Sequence, residues 1–425
     1  MPKFLFQLGH CPDLSHAEII AVDARMGGVL NRLQRAEAAL LAESASLEDV
    51  TVLVNELAGT IRLCEVVGNQ EAGSYTSGKE TSPDELFQFL IEVGVESLLT
   101  ARSDRPLIGF SWVGEDSGKG RRKKRYGLLQ ETAARLKEHL RGKGISSRFI
   151  LADPADNSLC LSGAQVEKNH LAEKGAEFVF HESSETGLTL GVTRWLQPFE
   201  AFSLRDYGRP QRDARSGMLP PKLARMLINL ARTQETRTLI DPFCGSGSVL
   251  MEAALTGLEA VGFDNNRKAV EDSKENERWL LSRFPDRNLA YRACLGDARR
   301  LHTFCEPLFF DTCVTEPFLG SPRKRPLRQE EWEQESAELA ALYIRALGEI
   351  RTVVKPGARV VFVAPRFRVQ DAEEPASLRL MAEIKLLGYR FLDPLHQFSP
   401  GLHRITLLYS RPQQIVQREI FVLQA

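Results

Sequence analysis

The hydrophobic and polar positions at the start of the chain alternate between strand-like and helical patterns. The apolar run around Phe4 and Phe6 predicts a first strand, and residues 14–26 follow with a helical pattern that two glycines end. The stretch 46–63 predicts a second helix, because its apolar residues fall on one helical face. These elements are typical of a small α+β unit.

A second group of elements runs from about residue 75 to residue 195. Its longest element is an amphipathic helix that follows a basic run and ends near Gly142. Further helices are predicted at 83–93 and 162–173, and strands at 107–113, 148–151, 178–180 and 188–192. The stretch 200–217 is polar and rich in arginine, which is typical of a linker.

From Met218 onward, strands and helices alternate regularly. A helix opens at Pro220 and Pro221, where proline is tolerated because the first helical N–H groups have no partner. Strands are predicted at 238–240, 258–263, 289–293, 312–314 and 359–363, the longest helix at 330–355, and closing antiparallel strands at 389–392 and 404–409. This alternation predicts parallel strands joined by right-handed crossovers in a doubly wound sheet.

Length and composition are those of an ordinary globular protein. The 425 residues suggest two or three domains, 43% of the residues are apolar, and the net charge is −1. The seven cysteines form no CxxC pair and no metal-spaced cluster with histidine, so we expect free thiols in a reducing compartment and no metal. No apolar run approaches about 18 residues and the N-terminus does not resemble a signal peptide, which predicts a cytoplasmic protein without a membrane span.

The sharpest motif is IDPFCGSGS at residues 240–248, which joins the first strand of the predicted sheet to a helix. Small residues let the backbone approach a ligand closely, and the N–H groups at the start of the helix are available to bind it. Dinucleotide-binding loops keep a third Gly or Ala where Leu250 stands here, which argues against NAD, and no GKS or GKT indicates a P-loop. Cys244 has no histidine nearby in sequence and is expected to be a buried thiol rather than a nucleophile.

Three further acidic residues follow successive strands of the same sheet. Asp264 ends the second strand, Asp297 follows the third, and Glu316 follows the fourth. The carboxyl ends of parallel strands share one edge of an open sheet, which is where such sheets bind ligands. Asp264 is suited to the hydroxyls of a ribose and Asp297 to an adenine amino group. Any one of these acids alone is more often a helix cap, whereas all of them in this order favour cofactor binding.

Several segments resemble known proteins in the same order along the chain. DPFCGSGS resembles the S-adenosylmethionine loop of class I methyltransferases that act on exocyclic amines of nucleic acids. RDYGRP at 205–210 and SGMLPPKLA at 216–224 resemble the linker and first helix of tRNA guanine-N2 methyltransferases that carry a THUMP domain. LSGAQVEKN at 161–169 is similar to the THUMP part of those proteins, and FQLGHCPDLSHAE at 6–18 to their N-terminal ferredoxin-like module.

The resemblance implies a fold and a domain organisation. The fold is α/β, with a Rossmann-like class I methyltransferase domain preceded by α+β ferredoxin-like and THUMP modules. The expected boundaries are 1–72 for the ferredoxin-like module, 73–195 for the THUMP RNA-binding domain, 196–217 for a linker and 218–425 for the methyltransferase domain.

The resemblance also implies an activity, the methylation of the exocyclic N2 amine of a guanosine in tRNA, with the acceptor end held by the THUMP module. In that family an acidic side chain and a proline-region carbonyl accept the two hydrogens of the amine, while an aromatic residue stacks on the base. Carried over to this chain, the catalytic residues are Glu316, Pro317 and Phe318. The cofactor S-adenosyl-L-methionine is expected at Asp241, Phe243, Cys244, Gly245, Gly247, Asp264, Asn265, Asp297 and Ala298.

The catalytic motif departs from the family pattern. That pattern is usually Asp or Asn, two prolines and then Tyr or Phe, whereas EPFL at 316–319 has a longer acid and its aromatic residue one position earlier. An active enzyme is favoured because the cofactor acids Asp264 and Asp297 are present. Two alternatives stay open: N6-adenine methylation of RNA or DNA, and an RNA-binding protein whose methyltransferase module no longer turns over.

Three basic clusters are candidates for contacts with RNA phosphates. The first holds six cations in seven residues, for which a solvated loop is the plain alternative, and the second lies beside the catalytic motif. The third consists of arginines in the predicted linker. The residues are Lys119, Arg121, Arg122, Lys123, Lys124 and Arg125 in the first cluster, Arg323, Lys324 and Arg325 in the second, and Arg205, Arg209, Arg212 and Arg215 in the third.

Overall fold

Two units make up the fold, and each is built on a sheet of its own. The structure, a computed structural model, describes residues 1–36, 38–70, 81–100, 103, 105–114, 119–153, 158–183, 186–212, 218–396, 398, 405–411 and 414–425, and only the backbone of Lys119. The first unit consists of Met1–Pro12, Gly28–Asn55 and Thr60–Gln197, and the second of Asp13–Gly27, Glu56–Gly59 and Pro198–Ala425. The second unit therefore takes two short segments from the N-terminal part of the chain.

A mixed eight-stranded sheet forms the centre of the first unit. Its strands are β1 (Lys3–Leu8), β2 (Leu30–Ala36), β3 (Ala39–Ser44), β4 (Thr60–Gln70), β5 (Leu107–Val113), β6 (Arg148–Leu151), β7 (Gly175–Ser183) and β8 (Gly187–Leu196). Across the sheet they run in the order β2-β3-β1-β4-β8-β7-β5-β6. Strand β5 pairs in parallel with β6 and β7, whereas the other pairs are antiparallel. Strand β4 joins the two halves of the sheet, because it pairs with β1 on one side and with β8 on the other.

The helices of this part of the chain are α1 (Pro12–Arg25), α2 (Leu47–Glu56), α3 (Pro83–Glu92), α4 (Val95–Thr100), α5 (Lys119–Gly142), α6 (Gly163–Lys168) and α7 (Leu171–Lys174). Helix α3 begins where its sequence favours it, since Ser82 and Glu85 cap each other's backbone and Pro83 opens the first turn. Leucines of α3 and α5 pack with the aromatic residues Phe110 and Phe178 of the sheet in one hydrophobic core.

The predicted elements of the first unit are present, but several of its helices differ in extent from the prediction. The helix predicted for 46–63 ends at Glu56, and residues from Thr60 onward form strand β4 instead. The chain turns at Gly59, where an added Cβ would lie 2.4 Å from the terminal methyl group of Met226 and would displace that side chain. The helix predicted near 162–173 is divided into the short helices α6 and α7.

The second unit is built on a nine-stranded sheet. Its strands are β9 (Thr238–Asp241), β10 (Glu259–Asp264), β11 (Tyr291–Leu295), β12 (Phe310–Thr315), β13 (Val354–Phe367), β14 (Ala376–Ser377), β15 (Arg390–Phe391), β16 (Thr406–Tyr409) and β17 (Val416–Gln424). The parallel strands run in the order β11-β10-β9-β12-β13, which confirms the predicted doubly wound sheet. The sequence did not indicate β17, which is antiparallel to β13 and pairs with the predicted closing strands β15 and β16.

The helices of this unit are α8 (Phe199–Tyr207), α9 (Pro221–Ala231), α10 (Ser248–Leu255), α11 (Arg267–Arg283), α12 (Gln329–Val353) and α13 (Met381–Leu386), with a 3-10 helix at Ala298–Thr303. Helix α9 opens at Pro221, as its sequence predicts. Helix α8 falls within the stretch 200–217 interpreted as a linker, and it buries Phe202 and Arg205. Part of that stretch is therefore ordered and packed, because an apolar ring and a paired guanidinium hold it against the unit.

A buried carboxylate fixes helix α1 within the second unit. Glu18 is fully buried and accepts hydrogen bonds from the N–H groups of Ala58, at 2.9 Å, and Gly59, at 2.7 Å. The side-chain amide of Asn229 on α9 donates a third hydrogen bond to Glu18 at 2.7 Å. Burial raises the pKa of Glu18 to about 7, although these donors act in the opposite direction. Arg25 at the end of α1 donates to the same Asn229 side chain.

Candidate active site

The carboxyl ends of the parallel strands share one cavity of about 760 Å³. Asp241 ends β9, Asp264 ends β10, Asp297 follows β11 and Glu316 follows β12, and all four side chains contribute to the cavity wall. The structure therefore brings together the acids that the sequence placed on successive strands. The other predicted site residues that line this cavity are Phe243, Cys244, Gly245, Asn265, Ala298, Pro317 and Phe318.

The glycine loop between β9 and α10 is fixed by hydrogen bonds to the next strand. The Asp264 carboxylate accepts the N–H of Gly245 at 3.0 Å, and the N–H of Cys244 donates to the carbonyl of Phe263 at 2.9 Å. Gly247 is not part of the cavity wall among the described residues; its φ of +88° and an added Cβ 2.4 Å from Ser273 Oγ explain why it is glycine. Gly245, which has a φ of +51°, faces open space and does line the cavity.

Cys244 is buried beside these carboxylates. Burial raises the pKa of its thiol well above the ordinary value, and the negative charges of Asp241 and Asp264 act in the same direction. The thiol therefore stays protonated near neutral pH. Such a group packs as a small apolar side chain and is a poor nucleophile.

Asp241 is the most deeply buried of the four acids, with 2% of its surface exposed. Its Oδ1 accepts the hydroxyl of Thr315 at 2.7 Å and the N–H of Phe243 at 3.1 Å. Burial raises the pKa of Asp241 to about 7, and the neighbouring Asp264 and Glu316 carboxylates also raise it. A cation in the cavity would favour the ionised form of this group.

Asp297 begins the 3-10 helix and is paired with Arg299. Its carboxylate accepts the backbone N–H of Arg299 at 2.9 Å and the guanidinium at 2.7 Å. The side-chain hydrogen bond from Arg299 lowers the pKa of Asp297 below its ordinary value. Arg299, which also lines the cavity, was not among the residues predicted from the sequence.

Glu316 forms a buried two-point ion pair with Arg418 of β17. The guanidinium donates to one carboxylate oxygen at 2.5 Å and to the other at 3.1 Å. The side chains of Arg418 and Glu316 are 7% and 11% exposed. Burial alone would lower the pKa of Arg418, but the Glu316 carboxylate raises it above its ordinary value, so the guanidinium stays charged. The sequence analysis also missed Arg418, because it did not predict strand β17, on which Arg418 lies.

Helix α12 holds the rest of the catalytic motif in place. The buried hydroxyl of Tyr343 donates to the carbonyl of Phe318 at 2.6 Å, while the Phe318 ring itself is 54% exposed at the cavity. Glu335 accepts the N–H of Ser321 at 3.1 Å. Gly320 has a φ of +93°, which favours glycine, and an added Cβ would also displace the Glu335 carboxylate. An exposed ring on an anchored backbone is suited to stacking against a planar ligand.

The basic cluster beside this motif lines a second cavity, of about 720 Å³. Arg323 pairs with Glu335 and lies over the ring of Phe367, with its guanidinium carbon 5.4 Å from the ring centroid. Arg325 forms a two-point pair with Glu331, at 2.9 and 2.7 Å. Lys324 is exposed. Acids of α12 therefore neutralise part of the charge that the sequence placed here.

The basic run at 119–125 begins helix α5, so its interpretation as a solvated loop is wrong. Lys and Arg are good helix formers, and the helical pattern of α5 extends back through them. Arg121, Lys123 and Lys124 are exposed and Arg122 is partly buried. Arg125 pairs with Glu182 at 3.2 Å and lies over the ring of Trp112.

Two arginines of the third cluster are structural. Arg205 pairs with the buried Glu252 at 2.5 Å, and Arg209 is 2% exposed and donates to Ser248 Oγ at 2.8 Å. Their proposed contact with RNA is therefore wrong, because both guanidinium groups are buried. Arg212 is exposed at the cavity and lies over the ring of Tyr207, and Arg215 lies outside the described residues.

Two further features of the chain concern metal ligands and membrane-spanning helices. Across the described ranges, no group of three or more His, Cys, Asp or Glu side chains is placed to hold a metal ion. In the same part of the chain, none of the helices combines the length and apolar character needed to cross a bilayer.

Residues 209–291 match the UPF0020 family model, which describes an RMKL-like methyltransferase domain. The tRNA (guanine(10)-N2)-dimethyltransferase of Pyrococcus abyssi is 31% identical over 163 residues, which are 38% of this chain and 44% of that protein. The protein of the same name from Methanocaldococcus jannaschii is 46% identical over 61 residues, which are 14% of this chain and 16% of its own length. The chain therefore spans less than half the length of these curated relatives.

Among solved structures, TrmN from Thermus thermophilus aligns with a TM-score of 0.54 at 17% identity, covering 99% of both chains. This similarity confirms the predicted α/β fold with a Rossmann-like domain. The ferredoxin-like and THUMP modules, and the boundaries assigned to them, stay predictions.

Proposed function

Because the chain carries a UPF0020 methyltransferase domain and is related to tRNA (guanine-N2) methyltransferases, we propose that it methylates the exocyclic N2 amine of a guanosine in tRNA. The observation that supports this most is the shared cavity. Its wall combines the glycine loop and strand-end acids suited to a nucleoside cofactor with an acid-proline-aromatic motif suited to a base amine.

The proposed cofactor is S-adenosyl-L-methionine, which supplies an activated methyl group. The residues present fit it: Asp264 is suited to the ribose hydroxyls, Asp297 to the adenine amino group, and the exposed backbone of Gly245 to the methionine part. The carboxylates of Asp241 and Glu316 on the same wall favour a positively charged sulfonium.

Glu316 and the Pro317 carbonyl are the proposed acceptors for the two hydrogens of the target amine. With both hydrogens engaged, the amine lone pair faces the methyl group, and proximity and orientation provide much of the rate enhancement. Phe318 is proposed to stack on the base after it leaves its helix. Transfer would form the nitrogen–carbon bond and break the methyl–sulfur bond of the sulfonium, which would leave as the neutral thioether S-adenosylhomocysteine. The amine would lose one proton, and the Glu316 carboxylate on this wall is the proposed acceptor.

We further propose that the first unit binds tRNA, with the acceptor end held by the THUMP region at 73–195. The start of helix α5 supports a phosphate contact. Its first turn carries no acid, and its cations lie at the helix end that already has a partial positive charge. Phosphate groups would offset this unfavourable arrangement, which makes Arg121, Lys123 and Lys124 the strongest candidates. Lys324 is a second candidate, in the second unit.

The test incubates the purified chain with isotope-labelled S-adenosylmethionine and unmodified bulk tRNA, followed by nucleoside mass spectrometry. N2-methylguanosine or N2,N2-dimethylguanosine is the expected product. N6-methyladenosine would keep the amine chemistry and change the base. Binding of both ligands without transfer would contradict the proposed activity and support an RNA-binding protein. A Glu316→Ala variant that methylates at the wild-type rate would contradict the proposed role of Glu316.

A further inference from the structure

Arg418 lies behind the proposed amine acceptor rather than in the cavity. Glu316 is part of the cavity wall, whereas Arg418, although described, is not. The guanidinium donates Nε–H to Glu316 Oε2 and Nη2–H to Oε1, at 2.5 and 3.1 Å. Two parallel hydrogen bonds fix both the position and the plane of a carboxylate, which a point charge does not.

The strand that carries Arg418 makes the guanidinium a rigid support. In β17, Arg418 is opposite Pro365 of β13 on one side and opposite Tyr409 of β16 on the other. The Tyr409 ring centroid is 6.0 Å from the guanidinium carbon. Arg418 is thus held between two paired strands, and its backbone cannot shift without breaking the pairing on both sides.

We propose that Arg418 is a positioning residue for methyl transfer, which holds the Glu316 carboxylate in place and aimed at the substrate amine. This inference rests on the proposed function. Each carboxylate oxygen has two lone-pair sites, and the guanidinium uses one on each oxygen, so one on each is left to accept an N–H of the amine. Glutamate has one more rotatable bond than aspartate, and pairing with Arg418 removes that additional freedom. The ion pair with Arg418 therefore restricts the longer side chain of Glu316 to one position.

The experiment compares Arg418→Met, Arg418→Lys, Glu316→Gln and the double variant of Glu316→Gln with Arg418→Met. For each protein, kcat and KM for tRNA are measured from pH 5.5 to 8.5, together with the Kd for S-adenosylmethionine and the thermal unfolding of the RNA-free chain. The control is Lys355→Met, which removes the ion pair with Asp311 at 2.6 Å, at the opposite end of strands β12 and β13. This control tests for the general effect of removing a paired cation from the same sheet.

We expect Arg418→Met to lower kcat about 100-fold, because a misplaced acceptor loses the reactive geometry, while KM and the cofactor Kd change by less than about threefold. Arg418→Lys keeps the positive charge but not the two parallel N–H donors of the guanidinium, so its kcat should fall about tenfold. The double variant should be no slower than Arg418→Met, because the two residues act as a unit. Lys355→Met should keep the wild-type kcat and pH profile.

Several outcomes would overturn the proposal. An active wild-type chain whose Arg418→Met variant folds and keeps the wild-type kcat and pH profile overturns this inference alone. If Arg418→Met does not fold, the test rests on Arg418→Lys. A wild-type kcat in Arg418→Lys would then overturn this inference alone. Additive effects of Glu316→Gln and Arg418→Met on thermal unfolding would show that the pair does not form. A wild-type chain that binds the cofactor and methylates no RNA overturns both this inference and the proposed function.

Discussion

The Asp264 carboxylate accepts the backbone N–H of Gly245 at 3.0 Å, so the acid that ends β10 also holds the glycine loop that follows β9. Its other oxygen accepts the N–H of Asn266 at 2.8 Å, at the start of α11. One side chain thus ties together two turns of the cavity wall before any ligand enters. Loss of this carboxylate should disturb the shape of the site as well as its contact with a ribose.

We expect Asp264→Ala to raise the Kd for S-adenosylmethionine at least about tenfold, because a charge-assisted hydrogen bond contributes roughly 1.5–3 kcal/mol. Isothermal titration calorimetry measures the effect without RNA. The matched control is Glu259→Gln, an exposed acid at the opposite end of the same strand, whose Kd should equal that of the wild type. Equal affinities of Asp264→Ala and wild type would exclude Asp264 from the cofactor site.

The raised pKa of Asp241 predicts that cofactor affinity depends on pH. With a pKa of about 7, the carboxyl is mostly protonated at pH 6 and mostly ionised at pH 8. A sulfonium cation favours the ionised form, so the affinity for S-adenosylmethionine should rise up to about tenfold between these values. S-adenosylhomocysteine, whose sulfur is neutral, should show a smaller rise, and Asp241→Asn should remove the difference between the two ligands. A pH-independent ratio of the two Kd values in the wild type would contradict this.

The same group predicts a change in stability of the ligand-free chain. The folded state holds the Asp241 proton more tightly than the unfolded state, whose pKa is about 4. The contribution of Asp241 to the free energy of unfolding therefore falls as pH rises from about 4 to about 7. In thermal unfolding, the stability of Asp241→Asn relative to wild type should rise across that range. A relative stability that falls with rising pH would show that the folded state does not raise the pKa of Asp241.

Arg299 occupies the carboxylate proposed to bind adenine, and its removal should tighten cofactor binding. A partly exposed ion pair is worth at most about 1 kcal/mol, so Arg299→Gln should lower the Kd for S-adenosylmethionine by up to about fivefold. Arg300→Gln, which removes a charge from the next residue, serves as the control and should leave the Kd unchanged. Weaker binding by Arg299→Gln would show instead that the guanidinium itself contacts the cofactor.

Phe318 is predicted to act on RNA and not on the cofactor. Stacking on a base contributes about 1–3 kcal/mol, so Phe318→Ala should raise KM for tRNA roughly 5- to 150-fold and leave the Kd for S-adenosylmethionine unchanged. Phe309→Ala tests a similarly exposed ring at the opposite end of β12 and should behave as wild type. An unchanged KM in Phe318→Ala would remove the stacking role.

The start of helix α5 is predicted to contact phosphates. The double variant of Arg121→Ala and Lys123→Ala should bind tRNA more weakly, and the slope of log K against log salt concentration should decrease by about one for each phosphate that is no longer neutralised. The control removes the same charge from the exposed end of the same helix, with Lys137→Ala and Arg141→Ala. Equal slopes in the two double variants would show that the basic start has no special role.

The sequence predicted the parallel part of the sheet and the cavity for a geometric reason. The carboxyl ends of parallel strands share one edge, so Asp241, Asp264 and Glu316 meet once their strands are recognised. The partner of Glu316 could not be found in this way. Arg418 lies on a strand 102 residues further along the chain, and its pairing with β13 is a long-range antiparallel contact that no local period indicates.

Charge runs were harder to interpret than apolar patterns. The linker arginines Arg205 and Arg209 resembled a surface patch, yet both are buried because Glu252 and Ser248 provide partners that are distant in sequence. The basic run that begins α5 resembled a loop because the apolar spacing begins only at Leu128. Composition shows how many charges a segment has, whereas the tertiary structure decides which of them face water.

The second unit of this molecule is not a continuous stretch of the chain. It includes helix α1, and the buried Glu18 of that helix accepts hydrogen bonds from Gly59 and Asn229. The ribosome therefore synthesises helix α1 nearly two hundred residues before the segment Pro198–Ala425, which forms the rest of this unit's sheet and helices. A fragment that begins at residue 198 would lack Glu18 and Glu56 and would leave the buried Asn229 amide without these two acceptors, so the second unit cannot be transferred to another protein by cutting the chain there.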